Sequence, residues 1–181
     1  MGRNIAVIYK SKYGSTKKYA EWIAEATGAE LLEASRVKPP DLVKYDTIVY
    51  GGALYAVGIM GIGLIRDNFQ ALKDKRIVVF SVGAALPEKE NMDEVRNRNF
   101  TDEMRENTAY FHLRGAFNFK KLSLLHKIMI RLLELKIRSK KGELRNDEKG
   151  MLAVIRHPAD WTNKKAVQTV LDYINGENPR I

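Results

Sequence analysis

The sequence predicts an α/β fold, a doubly wound parallel sheet with helices on both faces. Two observations carry that prediction: short β-branched runs alternate with amphipathic helical patterns, and the runs are apolar almost throughout, as strands covered on both faces must be. A third is size, since 181 residues with 45% hydrophobic positions suit one domain with a core of its own. The expected domain spans 1–181, and no internal repeat divides it.

Ile5-Ala6-Val7-Ile8-Tyr9 reads as the first buried strand. Thr16 to Thr27 follows as a helix, with Tyr19, Ala20, Ile23 and Ala24 on one face and Gly28 past its end. Glu30-Leu31-Leu32-Glu33 is the second strand, ahead of the breaker Pro39-Pro40. Thr47-Ile48-Val49-Tyr50 is the third, and Gly51-Gly52 behind it reads as a turn. Leu64 to Leu72 has helical spacing, Arg76 to Val82 is the fourth strand, Met92 to Glu106 one polar helix, and Ala109 to Leu113 the fifth strand. Thr162 to Ile174, between Pro158 and Gly176, is the last helix. In such a sheet ligands bind beyond the carboxyl ends of the strands, near the point where strand order reverses. The loops after the first, third and fourth strands are the places to look for a site.

Composition narrows the chemistry. The chain has no cysteine, which excludes a disulfide framework, a thiolate zinc site, an iron–sulfur cluster and a thiol nucleophile, and a cytoplasmic setting is expected. His112, His126 and His157 lie far apart without clustered carboxylates, so no metal site is expected and each reads as a surface or satisfied histidine. A phosphoacceptor domain of this fold needs an Asp pair after the first strand and an Asp closing the third, where Lys10-Ser11 and Tyr50-Gly51 stand instead. No secretory signal is expected from Met1-Gly2-Arg3-Asn4-Ile5-Ala6, and no stretch approaches the roughly 20 apolar residues of a membrane span.

After the first strand, Lys10-Ser11-Lys12-Tyr13-Gly14-Ser15-Thr16 runs into a helix start. Free backbone N–H groups there, a glycine that lets the backbone come close, and the hydroxyls of Ser11, Ser15 and Thr16 make a set of donors suited to a phosphate. The spacing is neither the nucleotide P-loop nor G-x-G-x-x-G, and a phosphate monoester fits better. Capping of the helix by Ser15 or Thr16 is the plainer use of the same residues. Ser11-Lys12-Tyr13-Gly14-Ser15-Thr16 resembles the phosphate loop of flavodoxins, Ser/Thr-x-Thr/Tyr-Gly-x-Thr. The resemblance implies a flavodoxin-like five-stranded sheet in the order 2-1-3-4-5 and flavin mononucleotide (FMN) as cofactor. Ser11, Lys12, Tyr13, Gly14, Ser15 and Thr16 would then surround its phosphate. The loops Gly52-Ala53-Leu54-Tyr55 and Val82-Gly83-Ala84-Ala85 acquire the role of enclosing the isoalloxazine ring, with Tyr55 either stacked on the ring or packed at its strand end.

Within that superfamily the chain is similar to menaquinone-dependent protoporphyrinogen oxidases, through Ser81-Val82, Pro87-Glu88-Lys89, Arg114-Gly115-Ala116-Phe117, a basic insertion and Asp160-Trp161, in that order. This resemblance implies a flavin-dependent oxidoreductase with protoporphyrinogen as donor and a menaquinone as acceptor. No catalytic acid or base is identified near the ring. An electron carrier serving protein partners is the alternative, from whose usual acidity the net charge of +9 departs.

The charge is concentrated. Residues 115–145 hold 9 basic and 2 acidic side chains, within an expected helical insertion at 115–159. Lys120 to Lys141 reads as one helix whose polar stripe is Lys120, Ser123, Lys127, Arg131, Glu134 and Arg138, with aliphatic residues over the rest. Such a helix needs cover on more than one side: its own domain, a second copy in a homodimer, or lipid at the inner face of an anionic membrane. Nucleic acid is not expected, since the helix lacks stacking aromatics.

Overall fold

The computed structural model describes residues 4–176 except 56, 141 and 145. Both ends of the expected domain, 1–3 and 177–181, and Lys141 at the end of the expected insertion helix lie outside the described residues.

Strand β1 (Ile5–Lys10) pairs in parallel with β2 (Glu30–Glu33) on one side and β3 (Thr47–Tyr55) on the other. The end of β3 folds back on β4 (Gly58–Ile59), and its other edge carries β5 (Arg76–Gly83), followed by β6 (Thr108–Arg114). The order β2-β1-β3-β5-β6 is the expected one once the short hairpin strand is set aside. Alternation along the strands sends Ile8, Ile48, Tyr50, Ile77 and Val79 to one face and Val7, Val49, Val78 and Phe80 to the other. Helix α1 (Ser15–Thr27) covers the second face. The first face takes α2 (Gly63–Arg66), α3 (Phe69–Leu72), α4 (Lys89–Asn99) and α5 (Asp102–Asn107).

Several elements depart from the periodicity reading for local reasons. Gly51-Gly52 is not a turn; β3 runs straight through it. A Cβ on Gly51 would stand 2.2 Å from Cζ of Phe80 and one on Gly52 2.4 Å from Cγ2 of Ile59, so the glycines make room for neighbours in the sheet. The helix expected over Leu64 to Leu72 is broken where Asn68 leaves helical geometry and its amide donates to the Leu64 carbonyl at 3.0 Å. The helix expected over Met92 to Glu106 is two helices. Phe100 turns extended to bury its ring edge-on against Tyr110, and Thr101 restarts the chain by accepting the Met104 N–H at 3.2 Å.

After β6 the chain forms β7 (Ala116–Phe117), α6 (Leu124–Arg138), α7 (Asn146–Arg156) and β8 (Ala159–Asp160), then α8 (Gln168–Asn175) on the face of α1. β7 and β8 pair antiparallel, so the inserted helices leave and rejoin the domain through one ribbon. Helix α6 starts at Leu124, not Lys120, because Asn118 caps a short 3-10 turn at Phe119–Lys121 and Leu122 is extended. Its expected solvent stripe is inverted at Glu134, which is only 8% exposed and takes ion pairs from Arg131 at 2.6 Å and Arg138 at 2.7 Å. Leu124 at 75%, Leu125, Ile128, Leu132 and Leu135 at 63% face outward instead.

Candidate cofactor site

β1 delivers Lys10 to the carboxyl edge of the sheet, and the chain turns through 11–14 into α1. Gly14 holds φ +97° at the helix N-cap, a left-handed conformation that favours glycine, and a Cβ there would meet nothing within 4 Å. Ser11 Oγ accepts the Gly14 N–H at 3.2 Å, which folds the loop over the helix start. The first turn of α1 carries no acidic residue to offset the positive end of its dipole, and Lys10 and Lys12 add to it, whereas Lys17 and Lys18 stand beside Glu21 and Asp160. Ser15 Oγ accepts the Ala116 N–H at 3.0 Å and keeps its own proton to donate. Thr16 is 2% exposed, so Ser11 and Ser15 are the accessible hydroxyls of the three.

The segment Gly52-Ala53-Leu54-Tyr55, expected as a loop, is the end of β3. Gly52 and Ala53 pair with Ser81 and Val82, and Leu54 and Tyr55 pair with Ile59 and Gly58. Val82 and Gly83 close β5, and Ala84-Ala85 form the bend beyond. A Cβ on Gly83 would lie 3.3 Å from Cβ of Leu54, and one on Gly115 2.8 Å from Val82 and 3.2 Å from Ser15. The Gly115 N–H donates to the Gly83 carbonyl at 2.8 Å. All three nominated segments therefore converge on one edge.

Two histidines that the sequence left as bland belong to this edge. His112 Nε2 lies 3.2 Å from the Ala85 carbonyl, an acceptor only, so that nitrogen carries the hydrogen. Nδ1 then accepts from Ser81 Oγ at 2.7 Å, and Tyr110 donates to Ser81 at 2.6 Å, a relay that pins the bend after β5. Burial pushes the His112 pKa down, Arg114 adds to that, and the bond to Ala85 opposes it; burial pushes Tyr110 up to about 12. Leu54, Ala85, Leu86, Met92 and Val95 line a small cleft of about 20 Å³ beside Tyr110 and His112.

His126, in the first turn of α6, reaches the same edge from the insertion. Its Nδ1 is 2.6 Å from the Tyr13 hydroxyl, whose oxygen also accepts the Ser123 N–H at 3.1 Å. Its ring stacks on Tyr55, with centroids 4.7 Å apart and planes 27° apart. Burial and the Lys12 ammonium lower the His126 pKa, and burial pushes Tyr55 up to about 12. No local pattern announces this contact, since Tyr13 and His126 are 113 residues apart.

The model of the flavodoxin domain family matches residues 6–145. The chain belongs to the flavodoxin domain family. Similar solved structures share this fold at low identity. The Trp repressor binding protein of Bacillus subtilis is 15% identical over 84% of this chain and 96% of its own, with a TM-score of 0.46. Flavodoxin 1 of Bacillus cereus is 18% identical over 61% and 84%, at 0.42. A flavoprotein from Lactobacillus acidophilus, solved in complex with FMN, is 18% identical over 62% and 93%, at 0.41. Among curated proteins none matches the chain. The flavodoxin-domain match ends inside the insertion, before α7, β8 and α8. Among the described residues no group of three or more metal-ligating side chains is assembled, and no helix is long and apolar enough to cross a membrane.

Proposed function

We propose that this flavodoxin-domain protein binds FMN at the carboxyl edge of its sheet and acts as an oxidoreductase on a membrane-partitioned donor, protoporphyrinogen, with a menaquinone as acceptor. The observation that carries this is the placement of α6. One end of it touches the phosphate loop through Tyr13 and the end of β3 through Tyr55, while its outer face presents Leu124, Leu125, Ile128, Leu132 and Leu135. An apolar helix face in a segment with 9 basic and 2 acidic residues suits an anionic lipid surface, where quinones and tetrapyrroles partition.

The residues present fit FMN. The left-handed Gly14, a helix start without an acid in its first turn, the Ser11 and Ser15 hydroxyls and the lysines Lys10 and Lys12 are donors and charges for a phosphate monoester. Bound FMN would supply the electron chemistry. Leu54 is a half-buried apolar side chain at the edge, Tyr55 offers a flat face, and the relay from Tyr110 through Ser81 and His112 holds the Ala85 bend. The protein's work is then to bind, to orient and to exclude water.

The visible spectrum and an FMN titration test the cofactor. Anaerobic turnover of protoporphyrinogen with menaquinone in anionic vesicles tests the reaction, and vesicle-dependent turnover is expected. An FMN-loaded protein that turns over neither substrate would be the electron carrier instead.

A further inference from the structure

We propose that His126 is a cofactor-positioning residue: by bonding Tyr13 and stacking on Tyr55 it latches the insertion over the ring end of the site. The inference rests on the FMN reading above and adds a residue of the insertion to the cofactor's surroundings.

Tyr13 lies in the phosphate loop, Tyr55 ends β3, and His126 starts α6, so three stretches distant in sequence meet in one cluster of rings. The Tyr13 oxygen is fixed from both sides, accepting the Ser123 N–H at 3.1 Å and lying 2.6 Å from His126 Nδ1. The contact is satisfied when the phenol proton is directed at Nδ1, an arrangement that leaves the other ring nitrogen protonated and the imidazole neutral. A neutral ring suits its surroundings, since Lys12 is the cation set against it. The stack fixes the plane of Tyr55, the aromatic ring offered to the isoalloxazine. A phosphate loop alone holds one end of FMN. The latch shapes the other.

The two ends separate experimentally by comparing FMN with riboflavin, which lacks the phosphate. His126→Ala should weaken both ligands by the same factor, about tenfold for one hydrogen bond and one ring stack. Ser11→Ala should weaken FMN alone. Tyr13→Phe removes only the hydroxyl, leaves the stack on Tyr55, and should weaken riboflavin by a smaller factor than His126→Ala does, while His126→Asn, which can still accept from Tyr13, should restore part of the loss. Hydrogen exchange on the flavin-free protein reads the latch without any cofactor: amides of 124–130 should exchange faster in His126→Ala and in Tyr13→Phe. Unchanged exchange and unchanged titrations in both variants would overturn the proposal, and so would tighter flavin binding by His126→Ala, which would make the imidazole a plug. If the wild type takes up no flavin yet the exchange effect is present, the cofactor reading fails and the latch stands.

Discussion

The hydroxyl of Ser15, in the first turn of α1, accepts the backbone N–H of Ala116 at 3.0 Å, and so ties the ribbon beneath the insertion to the phosphate loop. The same side chain therefore serves the fold and is the one proposed to bind the cofactor's phosphate. Ser11, whose oxygen accepts only from Gly14 in its own loop, has no such second duty. Ser15→Ala should lower stability by about 1 kcal/mol and also weaken FMN, whereas Ser11→Ala should weaken FMN by about 1–3 kcal/mol with little change in stability. Urea denaturation of the flavin-free variants beside FMN titrations checks the split. Equal stability losses in the two would refute the assignment of roles.

His112 gives the protein a stability that depends on pH. Its folded pKa lies below the ordinary value of about 6.5, so at pH values between the two the unfolded chain binds the extra proton. Stability is then full above about pH 6.5 and is lost as the pH falls below it. His126 is shifted in the same direction and adds to the slope. Carboxylates held low by hydrogen bonds, such as Glu134 with Arg131 and Asp160 with Thr162, act at more acid pH. Melting curves from pH 7.5 to 5 should show a steeper fall in wild type than in His112→Asn, and parallel curves would sink the claim.

The central sheet predicts one sharp packing defect. Gly51 faces Phe80, and a methyl group there would press on three ring atoms at 2.2 to 2.7 Å. Phe80 is fully buried and cannot swing away. Gly51→Ala should cost about 1–3 kcal/mol, and adding Phe80→Leu should recover part of it, a coupling that a double-mutant cycle in urea reads directly.

What was legible in the sequence was what repeats over short range. The apolar runs placed five of the six strands of the main sheet, all but β4, and Gly28 and Gly176 stop their helices in the left-handed conformation. The turn into α1 was legible because glycine, hydroxyls and a helix start fall within six residues. Errors came where a side chain answered to a distant partner. Gly51-Gly52 looked like a turn because the residues that need the space, Phe80 and Ile59, are not sequence neighbours. Phe100 broke a predicted helix to reach Tyr110. His112 and His126 looked idle because Ser81, Tyr110, Tyr13 and Tyr55 are joined to them only by the fold.

The inverted stripe of α6 decides how the lipid proposal must be tested. Arg131 and Arg138 are the partners of Glu134, which is only 8% exposed, so reversing their charge would strand a covered carboxylate and damage the fold as well as any surface. Lys120, Lys121 and Lys136 are exposed, and among the described residues their ammonium groups have no ion-pair partner. Changing these three to Glu should weaken binding to anionic vesicles by about 1 kcal/mol or more per residue without lowering the melting temperature. Replacing Leu125, Ile128 and Leu132 by Gln removes apolar contact and should abolish vesicle binding at any salt, whereas the lysine variant should resemble wild type at high salt, where the electrostatic part is screened. Vesicle sedimentation and size-exclusion chromatography together separate the outcomes. A wild type that ignores lipid but elutes as a dimer, and becomes a monomer when the three apolar residues are changed, would assign this face to a second copy of the chain.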